Sequence, residues 1–275
     1  IMAKENVNEL VDKLTLFDDD LMSRVFDNNI EATELMLRII LGRNINVISV
    51  IGQDEIKSHE VGGRNITLDV HAIDVNGDEI DIEVQGNSAG AHIRRARYHS
   101  SMVDSKMLDE GQEFRQLKDS YIIFIYKHDK FRKGLPVYHI DRYIRETEEL
   151  FDDGSHIIYV NGNYKGNDEI GQLMNDFRQT DSDKIHYAAL AKGVKHFKDT
   201  EKGREQMCEA VEKYAKEYAK EYAKEYAKEY AVKEKMISVK NLMENMKLTV
   251  DQALNALGIQ GDERKTIINQ LQNRN

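Results

Sequence analysis

Residues 66–85 read ITLDVHAIDVNGDEIDIEVQ, and this stretch predicts the central hairpin of the fold. Apolar and polar residues alternate through both halves, which is the period of a half-buried β-strand. A two-residue loop would mix the two faces, and a shift of one residue is not tolerated where one face is buried. A three-residue loop over 75–77 keeps both faces consistent and places Gly77 at the left-handed position that closes such a loop. We therefore expect Asp69 to lie opposite Glu83.

The predicted register gives the hairpin an apolar face and a face with two opposed carboxylates. It places Leu68, Val70 and Ala72 together on the apolar face. On the polar face it puts two carboxylates about 5 Å apart at Cβ, where they repel each other. A divalent cation such as Mg²⁺ or Mn²⁺ would offset that repulsion, because both ions prefer oxygen ligands. A solvated polar face that tolerates the repulsion explains the pattern equally well, so both interpretations stay open.

The composition excludes several classes of protein. The 275 residues predict one medium domain with appendages. The net charge of −10 argues against a generally basic nucleic-acid surface but leaves room for a local basic cleft. A single cysteine, Cys208, excludes a disulfide framework and a cysteine-based zinc site. We find no signal peptide and no apolar run long enough to cross a membrane, so we expect a cytoplasmic protein without a membrane partner.

The chain before the hairpin is predicted to be helical over 8–41, with Gly42 ending the last helix, and extended over 45–51. Glu31 and Glu34 lie on that last helix, where an ordinary solvent-facing surface accounts for them. After the hairpin, a basic helix is predicted over 88–110. It carries the sharpest basic cluster of this acidic chain, and its basic residues are His92, Arg94, Arg95, Arg97 and His99.

The basic helix has two interpretations. An exposed face with salt bridges is the ordinary explanation of such a cluster. Its position directly after a carboxylate-bearing strand favours contacts of Arg94, Arg95 and Arg97 with DNA phosphates. Tyr98 has the spacing of a core residue on this helix.

Further strands and helices follow. The apolar run 121–126 predicts a central strand buried on both faces, and 137–140 and 156–160 predict strands at sheet edges. From about residue 166 the chain is predicted to be helical, and a long helix begins at Glu201.

A fourfold Tyr-Ala-Lys-Glu repeat begins at Tyr214, within this long helix. Four residues advance a helix by about 400°, so the tyrosines drift around it and disfavour a long two-stranded coiled coil. A helical spacer and a product of DNA slippage without a selected role are both consistent with the repeat. In the tail, Thr249-Val-Asp-Gln252 predicts a helix-capping box, and Gly258 predicts the end of the helix that follows. The short helices of the tail suit helix-turn-helix DNA binding or protein docking.

These patterns predict four regions. The first is a main domain over 8–165, and the second is a helical region over 166–212 that packs on it or follows it. A helical spacer over 213–235 and a small helical module over 236–275 complete the chain.

An ordered set of stretches in the first region resembles a known superfamily. The stretches are LDVHAIDVNGDEIDIEVQ, RRARYHSSMVD, YIIFIY and GLPVY. Together they resemble the PD-(D/E)XK nucleases, and more closely the transposase branch known as recombination-promoting nucleases. The resemblance covers roughly residues 10–165 and implies an α/β fold with a restriction-endonuclease-like αβββαβ core and a mixed sheet, followed by a helical C-terminal extension.

The resemblance also implies a function and a site. It implies a DNA endonuclease that depends on Mg²⁺ or Mn²⁺, with DNA as partner, no organic cofactor and a homo-oligomer left open. Asp69 and Glu83 match the metal-binding acids, and the backbone carbonyl of Val84 would complete the metal shell. Glu31, in preference to Glu34, matches the acidic residue of the first helix.

Gln85 departs from the superfamily pattern, which usually has lysine at this position. A glutamine amide orients water by hydrogen bonds but supplies neither charge nor a base. A catalytically inactive nuclease fold that serves as a DNA-binding or protein-interaction module is therefore the alternative function.

Overall fold

The structure is a computed structural model that describes residues 4–58, 60–86 and 93–272. Within these residues the strands are, in chain order, β1 (Val47–Ile56), β2 (Ile66–Asp74), β3 (Glu79–Gln85), β4 (Ser120–Tyr126), β5 (Val137–Ile140), β6 (Tyr143–Ile144), β7 (Glu149–Leu150) and β8 (Ser155–Asn161). The α-helices are α1 (Lys4–Lys13), α2 (Asp19–Phe26), α3 (Ile30–Leu41), α4 (Ile93–Met107), α5 (Glu169–Phe177), α6 (Ala188–Asp199), α7 (Glu201–Met246), α8 (Val250–Ala256) and α9 (Gly261–Gln272). The predicted start of the basic helix at Ser88, together with His92, lies outside the described residues.

In the described part of the chain, six strands form one mixed sheet in the order β1-β2-β3-β4-β8-β5. The strands β1, β2 and β3 are antiparallel neighbours, β4 runs parallel to β3 and β8, and β5 is antiparallel to β8. The parallel pair β3 and β4 needs a crossover connection, which α4 provides. The sequence of elements α3, β1, β2, β3, α4, β4 confirms the predicted αβββαβ core with a mixed sheet, and the helices from α5 onward form the predicted extension.

The strand β4 lies in the middle of the sheet, and all seven of its residues are buried. Tyr121, Ile123 and Ile125 belong to the main apolar cluster, whereas Ile122 and Phe124 belong to a second cluster beneath α4. Both faces of the strand are therefore covered. This confirms the central strand predicted from the apolar run, since alternation disappears when both faces are buried.

Two strands depart from the prediction. The strand over 156–160, expected at an edge, lies between β4 and β5. The first three residues of this strand are half-buried and the last four are buried. Partial exposure of this kind is typical of an edge strand, which explains the wrong prediction. The strand β1 extends to Ile56, beyond the predicted end at 51, because its polar second half pairs with β2 through the backbone. The strand β5 is an edge strand, as predicted.

The helices after the sheet contribute to the main core. Side chains from α5, α6 and the start of α7 lie in the same buried cluster as those of α2, α3 and the sheet, and they include Leu173, Phe177, Leu190, Val194 and Met207. Lys198 on α6 is buried, and its Nζ donates to the carbonyl oxygens of Asp12, Leu14 and Thr180 at 3.0, 2.5 and 2.7 Å. The region 166–211 therefore packs on the sheet domain.

The chain divides into two compact units, Ile1–Val211 and Glu212–Asn275. The second unit has its own apolar cluster, which includes Met236, Val239, Leu254 and Ile267. The predicted capping box is present, because Gln252 N donates to Thr249 Oγ1 at 3.2 Å and Thr249 N donates to Gln252 Oε1 at 2.9 Å. The tetrapeptide repeat lies within α7. Among the described helices, none combines the length and apolar character that a membrane span requires.

Candidate metal centre

The central hairpin has the predicted register. Val70 pairs with Ile82, and the pairs from there to the turn, as far as Ile73 with Glu79, follow the same count. The paired ladder ends at Val70 and Ile82, one position before Asp69 and Glu83. The turn begins where Asp74 N donates to Asp78 O at 3.1 Å, and Gly77 has a φ of +86°. This confirms the three-residue loop, because a left-handed glycine closes it as expected.

Asp69 and Glu83 face each other at the open end of this hairpin. Asp69 N donates to Glu83 Oε1 at 3.1 Å, and Val84 N donates to Asp69 Oδ2 at 3.0 Å. Each carboxylate thus takes a backbone amide of the opposite strand as its hydrogen-bond donor. The two side chains are held in place by the strands themselves.

The regular alternation of β2 is interrupted at Asp69. Leu68, predicted to share a face with Val70 and Ala72, instead belongs to the cluster beneath α4, while the other two belong to the main cluster. Gln53, which the β1 register places opposite Asp69, has a left-handed φ of +55°. Its Nε2 donates to Asp69 Oδ1 at 3.5 Å. The irregular backbone beside Asp69 accounts for the change of face.

The polar face of the hairpin is buried, not solvated. Asp69 is 8% exposed, and Asp81 and Glu83 are both fully buried. His71 is also buried and contacts an acid with each ring nitrogen. Its Nδ1 lies 2.7 Å from Asp54 Oδ2, and its Nε2 lies 2.9 Å from Glu79 Oε2. Burial of so many carboxylates is unfavourable without compensating positive charge.

The effect of burial on the acids is large. Burial raises the pKa of Asp81 to about 8, and the charge of Asp69 adds to the rise. Burial also raises the pKa of Glu83 to about 8, with the charge of Asp81 as the second cause. Burial, followed by the charge of Glu83, places the pKa of Asp69 well above its ordinary range. All three carboxyl groups therefore favour their protonated form unless a cation replaces the proton.

Arg95 on α4 is the cation that contacts these acids. Its guanidinium forms an ion pair with Glu83, and its Nη1 donates to Gln85 Oε1 at 3.1 Å. Its Nε donates to His99 Nε2 at 3.3 Å. These contacts hold the guanidinium at the acids, while Arg95 also lines the open pocket beside Asp69 and its side chain is 35% exposed. Its contact with a DNA phosphate stays a prediction.

His99, one turn after Arg95 on α4, is buried against the same acids. Its Nδ1 lies 2.8 Å from Asp81 Oδ2 and 3.8 Å from Glu83 Oε1. Burial lowers the pKa of His99. Sequence reasoning did not select His99 or Asp81, although the spacing of Asp81 and Glu83 on a strand, and of Arg95 and His99 on a helix, places each pair on one face.

An open pocket of about 730 Å³ adjoins Asp69. Among the residues that line it are Asp19, Gln53, Arg64, Asp69, Arg94 and Tyr98. Tyr98, expected in the core, is 37% exposed, and its hydroxyl donates to Arg64 O at 2.6 Å. Arg97 is exposed on the same helix and does not line the pocket.

The predicted helical acid lies elsewhere. Glu31 is exposed in the first turn of α3 and does not line the pocket, and Glu34 Oε1 accepts from Val47 N at 2.9 Å. The acidic side chain at the pocket from the leading helices is that of Asp19, at the start of α2, whose charge contributes to the raised pKa of Asp69. The structure thus brings together Asp69, Glu83 and Gln85 but not Glu31.

The orientation of Val84 bears on its predicted role. Glu79 N donates to Asp119 O and Lys127 N donates to Gln85 O, so the odd-numbered residues of β3 bond to β4. The amide and carbonyl of one strand residue point to the same side, and Val84 therefore directs both groups toward β2. The carbonyl of Val84 therefore points toward β2, the strand that carries Asp69.

The chain matches one protein-family model. That model, described as PD-(D/E)XK nuclease family transposase, matches residues 26–168. The match runs from the end of α2 to the residue before α5 and includes the hairpin, α4 and the whole sheet. No curated protein and no solved structure matches the chain significantly. The family match, together with the αβββαβ fold and the paired acids of the hairpin, shows that the chain belongs to the PD-(D/E)XK nuclease family transposases.

Proposed function

We propose that this protein is a metal-dependent DNA endonuclease that hydrolyses phosphodiester bonds in recombination or transposition. The observation that carries the proposal is the opposition of Asp69 and Glu83. Each is held by a backbone amide of the other strand, and the pair lies beside an open pocket. A merely structural role would not need two carboxyl groups buried on neighbouring strands and each bonded to the backbone of the other strand.

The residues fit a divalent cation of the Mg²⁺ or Mn²⁺ type. Asp69, Glu83 and the carbonyl of Val84 would supply oxygen ligands, which these hard ions prefer. A cation held by these groups would supply Lewis-acid chemistry: it would polarise a phosphate oxygen and would lower the pKa of a water molecule placed to attack phosphorus. The protein contributes rigid placement of its acids, because their hydrogen bonds to the strands fix both side chains before a cation arrives.

Gln85 has a defined place in this scheme. Its Oε1 accepts from Arg95 Nη1, so its Nε2 is the group left to orient water or a phosphate oxygen. The positive charge that a lysine would bring to this position comes from Arg95, which contacts Glu83 directly. We propose that Arg95 positions Glu83 and Gln85, and that Arg94 and Arg97 contact DNA phosphates.

A cleavage assay tests this function. Supercoiled plasmid and linear duplex are incubated with the protein and Mg²⁺, Mn²⁺ or Ca²⁺, and nicked and linear products are quantified. We expect cleavage with Mg²⁺ or Mn²⁺ and its loss in Asp69→Asn and in Glu83→Gln. Glu146→Gln, at an exposed glutamate outside the sheet domain's pocket, is the matched control and should cleave like the wild type. Cleavage that survives both site substitutions contradicts the proposal.

The second candidate function is a DNA-binding module without catalysis. The ion pair between Arg95 and Glu83 favours it, because the guanidinium already neutralises an acid that a metal would use. In that case DNA binding depends on salt, no metal supports cleavage, and loss of Arg94 or Arg97 lowers the slope of log K against log salt by about 1 for each phosphate contact. A homo-oligomer stays a prediction for either function.

A further inference from the structure

Three possible metal-ligating side chains meet beside the predicted metal site, with which they share Glu83. Asp81 and Glu83 are two residues apart on β3 and therefore point to the same face, and His99 of α4 lies over them. One oxygen from each carboxylate and one ring nitrogen of His99 all lie within 4.8 Å of one another. Asp69 is not a member of this group.

A buried oxygen in this group has no partner. Asp81 Oδ1 is the one buried side-chain nitrogen or oxygen, among residues that the structure describes, without a hydrogen bond. Asp81 is fully buried, and its other oxygen, Oδ2, contacts His99 Nδ1 at 2.8 Å. A buried carboxylate oxygen without a partner is unfavourable, because it has lost its hydration and gained nothing in return, so an unpaired oxygen in a native core indicates a missing partner.

The charges around this oxygen favour a cation over a water molecule. The carboxyl groups of Asp69, Asp81 and Glu83 are buried together, and the guanidinium of Arg95 forms an ion pair with Glu83. A water molecule could donate to Asp81 Oδ1, but it brings no positive charge to balance these acids when they ionise. A divalent cation satisfies the oxygen and balances the charge at once.

We propose that Asp81, Glu83 and His99 form a second metal site, one that prefers Mn²⁺ or another first-row transition ion to Mg²⁺. The preference follows from His99, because imidazole is a good ligand for transition ions whereas Mg²⁺ takes oxygen ligands almost alone. The site of Asp69, Glu83 and the Val84 carbonyl is made of oxygen alone. Glu83 belongs to both sites, and the inference holds whether or not the protein cleaves DNA.

Metal binding through His99 Nδ1 changes one contact. In the present arrangement Nε2 accepts from Arg95 Nε, so the hydrogen of the neutral ring is on Nδ1, where it faces Asp81 Oδ2. Coordination needs the lone pair of Nδ1, and the ring hydrogen must then lie on Nε2, opposite the N–H of Arg95. Metal binding at the second site therefore requires Arg95 Nε and His99 Nε2 to move apart.

The experiment measures Mn²⁺ binding to the untagged protein directly. Stoichiometry comes from titration with detection of free Mn²⁺ by electron paramagnetic resonance, and the ligand atom comes from electron spin echo envelope modulation. We expect the wild type to show modulation from a coordinated imidazole nitrogen. Asp69→Asn should keep this signal, whereas His99→Gln should lose it and Asp81→Asn should bind one Mn²⁺ fewer per chain.

Controls separate this inference from the proposed nuclease. His196→Gln, at an exposed histidine of α6, is the matched control and should retain the nitrogen signal. Circular dichroism shows whether each variant is folded. Absence of the nitrogen signal in folded wild type at saturating Mn²⁺ overturns the second site even if DNA is cleaved. A signal that persists in Asp69→Asn supports it even if no DNA is cleaved.

Discussion

The guanidinium of Arg95 forms an ion pair with Glu83, and this contact joins α4 to the acidic strand of the hairpin. Arg95 is 35% exposed at its side chain, whereas Glu83 is fully buried. The pair is therefore asymmetric. Removal of Arg95 would leave a buried carboxylate without its cation, but removal of Glu83 would leave an arginine that reaches solvent.

The first prediction concerns this pair. Arg95→Gln should lower the free energy of unfolding of the metal-free protein by about 2 kcal/mol, the cost of a lost charged hydrogen bond. Saturating Mn²⁺ should restore part of that loss, since a ligand that binds only the folded state stabilises it. Urea unfolding in EDTA and in Mn²⁺ measures both values. Arg97→Gln, exposed on the same helix, is the control, and equal stability of the two variants would refute the role of the pair.

The second prediction concerns pH. The pKa values of Asp81 and Glu83 are raised to about 8 in the folded protein, whereas both groups titrate near pH 4 when unfolded. Between these values the folded state holds more protons, so the stability of the metal-free protein should fall as pH rises from about 4 to 8. Each such proton contributes about 1.4 kcal/mol per pH unit.

Asp81→Asn tests the pH prediction, because it removes one of these protons and should flatten the dependence. The lowered pKa of His99 acts in the opposite sense, but its contribution is small above pH 7, because an unfolded histidine, with a pKa of about 6.5, is then mostly neutral. Urea unfolding in EDTA at pH 7 and pH 8 therefore isolates the carboxyl groups. Stability that rises over this interval in the wild type would contradict the assignment.

The third prediction concerns the hairpin turn. Gly77 has a φ of +86°, which side chains of L-residues rarely adopt. Gly77→Ala should destabilise the protein by about 1 kcal/mol, and Gly77→Asn should cost less because asparagine tolerates left-handed backbone. Thermal unfolding of both variants measures the difference. An added Cβ would lie 3.5 Å from Lys118 Cγ, which is an ordinary van der Waals contact, so backbone strain should set the cost. Equal effects of the two substitutions would contradict this explanation.

The fourth prediction concerns the bounds of the first domain. A fragment over 8–165 lacks α5 and α6 and with them Leu173, Phe177 and Leu190. The apolar side chains of the main cluster that pack against these residues would then be exposed to solvent. We expect this fragment to aggregate or to bind a hydrophobic dye, whereas a fragment over 4–211 should unfold cooperatively. Size-exclusion chromatography and urea unfolding distinguish them. A folded, monomeric 8–165 fragment would show that the helices after the sheet are dispensable.

The sequence by itself determined the hairpin and its register. The period of two and the left-handed requirement at Gly77 are local properties, and together they place Asp69 opposite Glu83 without any knowledge of the rest of the chain. The sequence also predicted the buried strand β4, because a continuous apolar run is typical of a strand that is buried on both faces. The resemblance to the family rests on these same local stretches.

Only the tertiary structure decided what surrounds the acids. Whether Glu31 or Asp19 reaches the pocket depends on how α2 and α3 pack on the sheet, and the helical pattern of the sequence is the same in either case. The contacts of Arg95 and His99 with Glu83 and Asp81 join residues 12 to 18 positions apart. These contacts form because the crossover from β3 to β4 places α4 over the hairpin. The periodicity of a helix shows which residues share a face, but it does not show which strand that face contacts.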